Sequence, residues 1–149
     1  MVEITEGWLM REFTARAKAC QLEVDCLGTG RLDSEIAIIA EAPGEHEVKM
    51  AMPLVGGSGR MLWDVLRPHG IGRADCYVTN VVKKQVALST KTDARNPVKK
   101  PELEHWEGLL DWELDHLPNL KYILALGNFA LHALTSDTGI TKWRGSVFD

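Results

Sequence analysis

The chain has 149 residues, 45% of them hydrophobic and 26% charged, with a formal net charge of −4. That length suits one domain with a sizeable core, and the composition excludes disorder of the whole chain. No apolar run approaches the ~20 residues that cross a bilayer, and the opening MVEITEG has no basic region leading into an apolar segment. A cytoplasmic protein with no membrane association is expected.

Apolar and small residues at Trp8, Leu9, Phe13, Ala17 and Cys20 recur at three- and four-residue steps, which predicts an amphipathic helix over 8–19, ended by Gly28 and Gly30. The β-branched apolar run 36–40 predicts a strand buried on both faces. Residues 41–59 carry Pro43, Gly44, Pro53, Gly56, Gly57 and Gly59, the composition of a long irregular loop, and long loops in compact domains are usually functional. Ser58 is placed to cap a helix with Met61, Leu62, Val65, Leu66 and His69 on one face, and Gly70 to end it. A second buried strand is expected over 76–82. Pro101 suits a first helical turn, and the spacing of Leu103, Trp106, Leu110, Leu114 and Leu117 extends that helix to about residue 117. A third buried strand, 122–126, and an alanine- and leucine-rich helix ending near Thr135 complete the order. Strands alternating with helices build a three-layer α/β/α fold with a central parallel sheet, whose ligand site lies beyond the carboxyl ends of the strands.

The loops after Glu41, Asn80 and Gly127 all start at that edge. EAPGE, 41–45, follows the first strand. Pro43 and Gly44 make a tight turn that can present backbone N–H groups, and Glu41 stands where a carboxylate positions water, although an ordinary turn with a surface carboxylate has the same composition. Asn80 ends the second strand; its amide offers one acceptor and two donors in a plane, the geometry for reading a base edge, or for capping its own loop. PLVGGSG, 53–59, brings glycine backbone and the helix start at Ser58 towards an anion. It is neither a Walker A loop nor a dinucleotide fingerprint, so nucleotide hydrolysis lacks its main support. Lys83, Lys84, Lys91, Arg95, Lys99 and Lys100 face only Asp93 in the stretch 83–100, a local charge of +5 in an acidic chain. This predicts a loop that meets an anion, with a solvated surface as the plain alternative. The three cysteines, Cys20, Cys26 and Cys76, include no CxxC pair and fit a reducing compartment.

AEAPGE (40–45), MPLVGGSGRML (52–62), YVTNVVKK (77–84), ILALGNFALHAL (123–134) and WRG (143–145), in that order, resemble the uracil-DNA glycosylase superfamily, most closely its family 4 branch. The resemblance runs from about Cys20 to the last residue. It implies base excision from DNA containing uracil, with deoxyuridine flipped out of the duplex. It assigns Asn80 to the uracil edge, Glu41 and the backbone of Ala42, Pro43, Gly44 and Glu45 to the attacking water and the base, and Leu54 to the position that stacks on uracil. Lys83, Lys84, Arg95, Lys99, Lys100 and Ser58 are then expected to contact DNA.

Four departures accompany the match. Leu54 stands where the family has an aromatic residue, and Ala40 where it has glycine. The four-cysteine iron–sulfur pattern keeps only Cys20: Ala17 and Lys84 occupy two further positions and the stretch around Trp106 and Glu107 has no cysteine, so no cluster, metal or other cofactor is expected. No residue matches the histidine of the family's HPS motif, His46 being a weak substitute, and residues 1–149 are read as a single domain lacking the fold's last strand and helix. The main expectation is a monomeric uracil-DNA glycosylase. A glycosylase-like module that grips DNA without cutting, fused to or associated with replication machinery, is the alternative, and a nucleoside-binding protein a third.

Overall fold

The structure is a computed structural model that describes residues 1–86 and 98–149. Three parallel strands, β1 (Ile36–Ala40), β2 (Cys76–Asn80) and β3 (Tyr122–Ala125), form a sheet of order β2-β1-β3. Ile36 of the central strand pairs with Cys76 on one side and Tyr122 on the other, and the register continues to Ala40 opposite Asn80. Among the described residues six helices surround it: α1 (Glu6–Ala19), α2 (Glu45–Met50), α3 (Gly57–Leu66), α4 (Lys100–Leu114), α5 (Asn128–Thr135) and α6 (Ile140–Trp143).

The two-residue period of the strands assigns their side chains to two cores. Ile38, Ala40, Cys76 and Val78 pack with Leu54 and with Leu62, Trp63 and Leu66 of α3. Ala37, Ile39 and Tyr77 face the other layer, where Leu9, Phe13 and Ala17 of α1, Trp106 and Leu110 of α4 and Ala130 of α5 are buried. The three-layer fold is therefore as expected, with helices on both faces of a parallel sheet.

Several element ends differ from the sequence reading. The first helix begins at Glu6 because the Thr5 hydroxyl accepts the Trp8 N–H at 3.1 Å, a cap outside the apolar pattern. It ends at Cys20 and the left-handed Gln21 (φ 60°), ahead of the glycines. The stretch 41–59 is interrupted by α2, which Gly44 starts. Gly56, rather than Ser58, is the N-cap of α3, and Met61 and Val65 are exposed while Leu62 and Leu66 turn inward. Gly70 does terminate this segment, after a further 3-10 turn at Arg67–His69.

The third strand is the larger correction: Tyr122 is 66% exposed, and Ile123 and Leu124 are exposed as well. It lies at the edge of the sheet, and among the described residues no strand pairs with its outer side. An apolar run alone does not distinguish a central from an edge position.

Candidate active site

The first two strands deliver the functional loops to one place. β1 and β2 end side by side at Ala40 and Asn80, and the pairing continues past both ends: Val81 N–H donates to the Ala40 carbonyl at 2.9 Å and Val82 N–H to the Glu41 carbonyl at 3.0 Å. Alternation along β2 sends Asn80 to the Leu54 side of the sheet, with Cys76 and Val78. Thr79 faces α4. Asn80 is only 3% exposed, and its carboxamide makes no hydrogen bond with the described residues. Its polar atoms are not among the sealed, unpartnered ones of the described residues, so the amide keeps an opening through which a ligand with complementary groups can pair with it.

Leu54 is held with unusual firmness for a loop residue. Its φ of 54° is left-handed, a conformation that costs a branched side chain energy. Its carbonyl accepts from Trp63 Nε1 at 3.1 Å and from the Arg73 guanidinium at 2.9 Å, and the same guanidinium bonds the Pro53 carbonyl. A Cβ on Gly59 would lie 2.1 Å from that Leu54 oxygen, so only glycine admits the loop so close to the start of α3. Glu47 of α2 accepts the Gly56 N–H at 2.9 Å and clips EAPGE to the PLVGGSG loop. Glu47, Trp63 and Arg73 were not singled out from sequence. Their partners are backbone atoms 9 to 20 residues away, which no periodicity reports.

Glu41 closes the site from β1. Its Oε1 accepts the N–H of Asn128 at 2.7 Å and of Phe129 at 3.4 Å, so this carboxylate satisfies the start of α5 across 87 residues of chain. Gly127, with φ 92°, makes room: a Cβ there would stand 2.5 Å from the carboxylate. Around this point Pro43 is buried, Ala42 half-buried, and Glu45 exposed and paired with Lys49 at 2.7 Å. His46 is exposed on α2.

The basic residues divide. Lys84, Lys99 and Lys100 are exposed, as is Ser58 within the first turn of α3, while Arg95 lies outside the described residues. Lys84 also approaches Glu23 at 3.8 Å. The expectation for Lys83 is overturned. Its side chain is fully buried, its ammonium is 2.6 Å from Glu113, and it cannot reach a DNA phosphate.

The residues also fail to fit an iron–sulfur cluster, which needs thiolates in number. Cys20 is half-buried at the end of α1, Ala17 is in the core, and Cys26 and Cys76 are buried, with burial pushing both thiols up. Among the described residues no group of three or more His, Cys, Asp or Glu could hold a metal ion. A cavity of about 420 Å³ does open beside Cys20, lined also by Glu23, Lys84, Lys99, Glu102 and His105, but by none of Glu41, Leu54 or Asn80.

The profile of the uracil DNA glycosylase superfamily matches residues 27–148. The chain is 33% identical over 147 residues to the type-4 uracil-DNA glycosylase of Thermotoga maritima, an alignment spanning 95% of this chain and 73% of that protein. It is 31% identical over 128 residues to the Archaeoglobus fulgidus type-4 enzyme and 33% over 110 residues to that of Pyrobaculum aerophilum. These alignments cover 82% and 72% of this chain, and 60% and 51% of the relatives. The fold, the loop order and these relatives agree: the chain belongs to the uracil-DNA glycosylase superfamily, among the type-4 proteins.

Proposed function

We propose that this chain is a uracil-DNA glycosylase that hydrolyses the N-glycosidic bond of deoxyuridine flipped out of DNA. The observation that carries the reading is the Asn80 carboxamide: nearly enclosed at 3% exposure, without a hydrogen bond among the described residues, not sealed off from a ligand, and set on the Leu54 face beside the end of β1. Uracil offers an O4 acceptor and an N3–H donor on its edge, and one carboxamide answers both. Cytosine presents the opposite pattern at these two atoms and is refused.

Leu54 packs against the base face. Glu41, fixed in direction by the α5 amides, orients the attacking water together with the backbone of residues 42–45. In the reaction the bond from C1′ to N1 breaks and the electron pair leaves with uracil. The water oxygen adds to C1′ and its proton goes to solvent or to the departing base. Residues that gather round uracil also exclude water from the building charge, which strengthens every donor aimed at it. Lys84, Lys99 and Lys100 supply phosphate contacts, with Arg95 and Ser58 assigned from sequence alone. No step passes through an iron–sulfur cluster, and iron and acid-labile sulfide in the purified protein are expected at background.

Single-turnover release of uracil from a labelled deoxyuridine oligonucleotide tests the reading. Release is expected from the parent and loss from Asn80→Ala and Glu41→Ala, with oligonucleotide affinity kept in Asn80→Ala. Binding without any release by the parent would overturn it in favour of a DNA-gripping module.

A further inference from the structure

Below the site, on the opposite face of β2, lies a polar network that the chemistry above does not use. Glu113 of α4 is 2% exposed. Its Oε1 accepts the Tyr77 hydroxyl at 2.7 Å and the Thr79 hydroxyl at 3.0 Å, and its Oε2 faces Lys83 Nζ at 2.6 Å. Lys83 Nζ donates in addition to the main-chain carbonyl of Asn80 and sits 4.8 Å from the Phe13 ring centroid. Gly28 makes room: a Cβ there would fall 2.4 Å from Glu113 Oε1 and 2.7 Å from both hydroxyls.

An ion pair so deeply buried is seldom the most stable solution, because well-packed apolar residues of the same volume generally match or exceed it. What this pair has, and an apolar pair lacks, is direction. Among the described residues all three donors to Glu113 belong to the segment 77–83, and they grip it on both sides of Asn80 in sequence. The fourth bond ends on Asn80 itself.

We propose that Glu113 and Lys83 are positioning residues for Asn80: from the far side of the sheet they fix the end of β2, and so the angle at which the Asn80 carboxamide meets the uracil edge. This rests on the glycosylase reading above and deepens it. Neither side chain touches the base. The network acts through the peptide of Asn80, and an error of about 1 Å in such a placement costs on the order of a hundredfold in rate.

The decisive variant is K83M/E113Q. The introduced glutamine keeps an acceptor for Tyr77 and Thr79 and the methionine fills the lysine's volume, while the lysine donor to the Asn80 carbonyl is gone and only the long contact from the Thr79 hydroxyl, 3.5 Å, is left there. Its melting temperature is expected close to that of the parent. Its maximal single-turnover rate on the deoxyuridine oligonucleotide is expected to fall roughly ten- to a hundredfold, with the half-saturating enzyme concentration within about twofold. A parental rate in a stably folded variant would overturn the proposal.

A second readout needs no turnover. In protein labelled with ¹⁵N-asparagine, the Asn80 carboxamide is identified by its absence in Asn80→Ala. One sharp pair of signals is expected in the parent and a broadened or doubled pair in K83M/E113Q, with those of Asn119 and Asn128 unchanged. Unaltered Asn80 signals would overturn the positioning role even if the parent releases no uracil, the result that would sink the glycosylase reading alone. Should the double variant not fold, Tyr77→Phe removes a single hydroxyl from Glu113. A smaller change in the same signals is expected, and none would overturn the proposal.

Discussion

Gly127 has room for no side chain, since its φ of 92° and the Glu41 carboxylate 2.5 Å from a would-be Cβ both exclude one. Gly127→Ala is expected to cost about 1–3 kcal/mol in urea denaturation through backbone strain and, on the proposed function, to depress uracil release further, because the carboxylate it displaces is the one proposed to orient the attacking water. Conventional sequence signals identified Gly127 as a turn and Glu41 as a strand end. Their contact across the sheet was illegible, since neither residue type carries information about a partner so distant in the chain. Lys83 shows the opposite failure. It sits in a basic run and counts as a surface charge by composition, yet the structure takes it inside to Glu113. Lys83→Ala, which leaves that carboxylate buried without its partner, is expected to cost about 3–5 kcal/mol. A melting temperature unchanged from the parent would show that the pair is not buried in solution.

At the level of elements, the positions of the strands were readable because each is a short apolar run bounded by turn residues, and β1 matches its expected limits, residues 36–40. The burial of β3 was not, because its exposure depends on which strands flank it. α2 was hidden by the prolines and glycines on either side of six unremarkable residues. In the site, Asn80 and Glu41 were recognisable by motif, whereas Trp63, Arg73 and Glu47 act on backbone and leave no pattern. The start of α4 carries a prediction of its own, since Lys99 and Lys100 stand there exposed and Lys84 is exposed on the chain leaving β2. K84A/K99A/K100A should weaken oligonucleotide binding and lower the slope of log affinity against log salt by about 0.7–0.9 for each phosphate that is no longer neutralised. A slope equal to the parent's would make this group a solvated face.

For the molecule as a whole, alkaline pH is where its interior is exposed to titration. Burial, with the Glu47 carboxylate adding to it, pushes the Cys26 thiol from 9.0 up to about 11. Between those values the native thiol keeps a proton that the unfolded chain has released. Its contribution to stability is therefore complete below about pH 9 and is lost as pH rises towards 11. The gap in urea midpoint between the parent and Cys26→Ala is expected to shift against the parent from pH 8 to pH 11, while an unchanged gap would place the thiol in contact with water. The alternation of β2 bears on a different kind of change, the gain or loss of a residue. Tyr77 and Thr79 serve Glu113, and Asn80 serves the other face. Deleting one residue before Asn80 would exchange the two sets, setting the carboxamide against α4 and a hydroxyl on the Leu54 face, where the proposed function puts the base. Loops on this scaffold can lengthen or shorten by single steps, but β2 can change length only by a route that rebuilds both faces at once, so the spacing from Cys76 to Lys83 is as much a part of the candidate site as the side chains it carries.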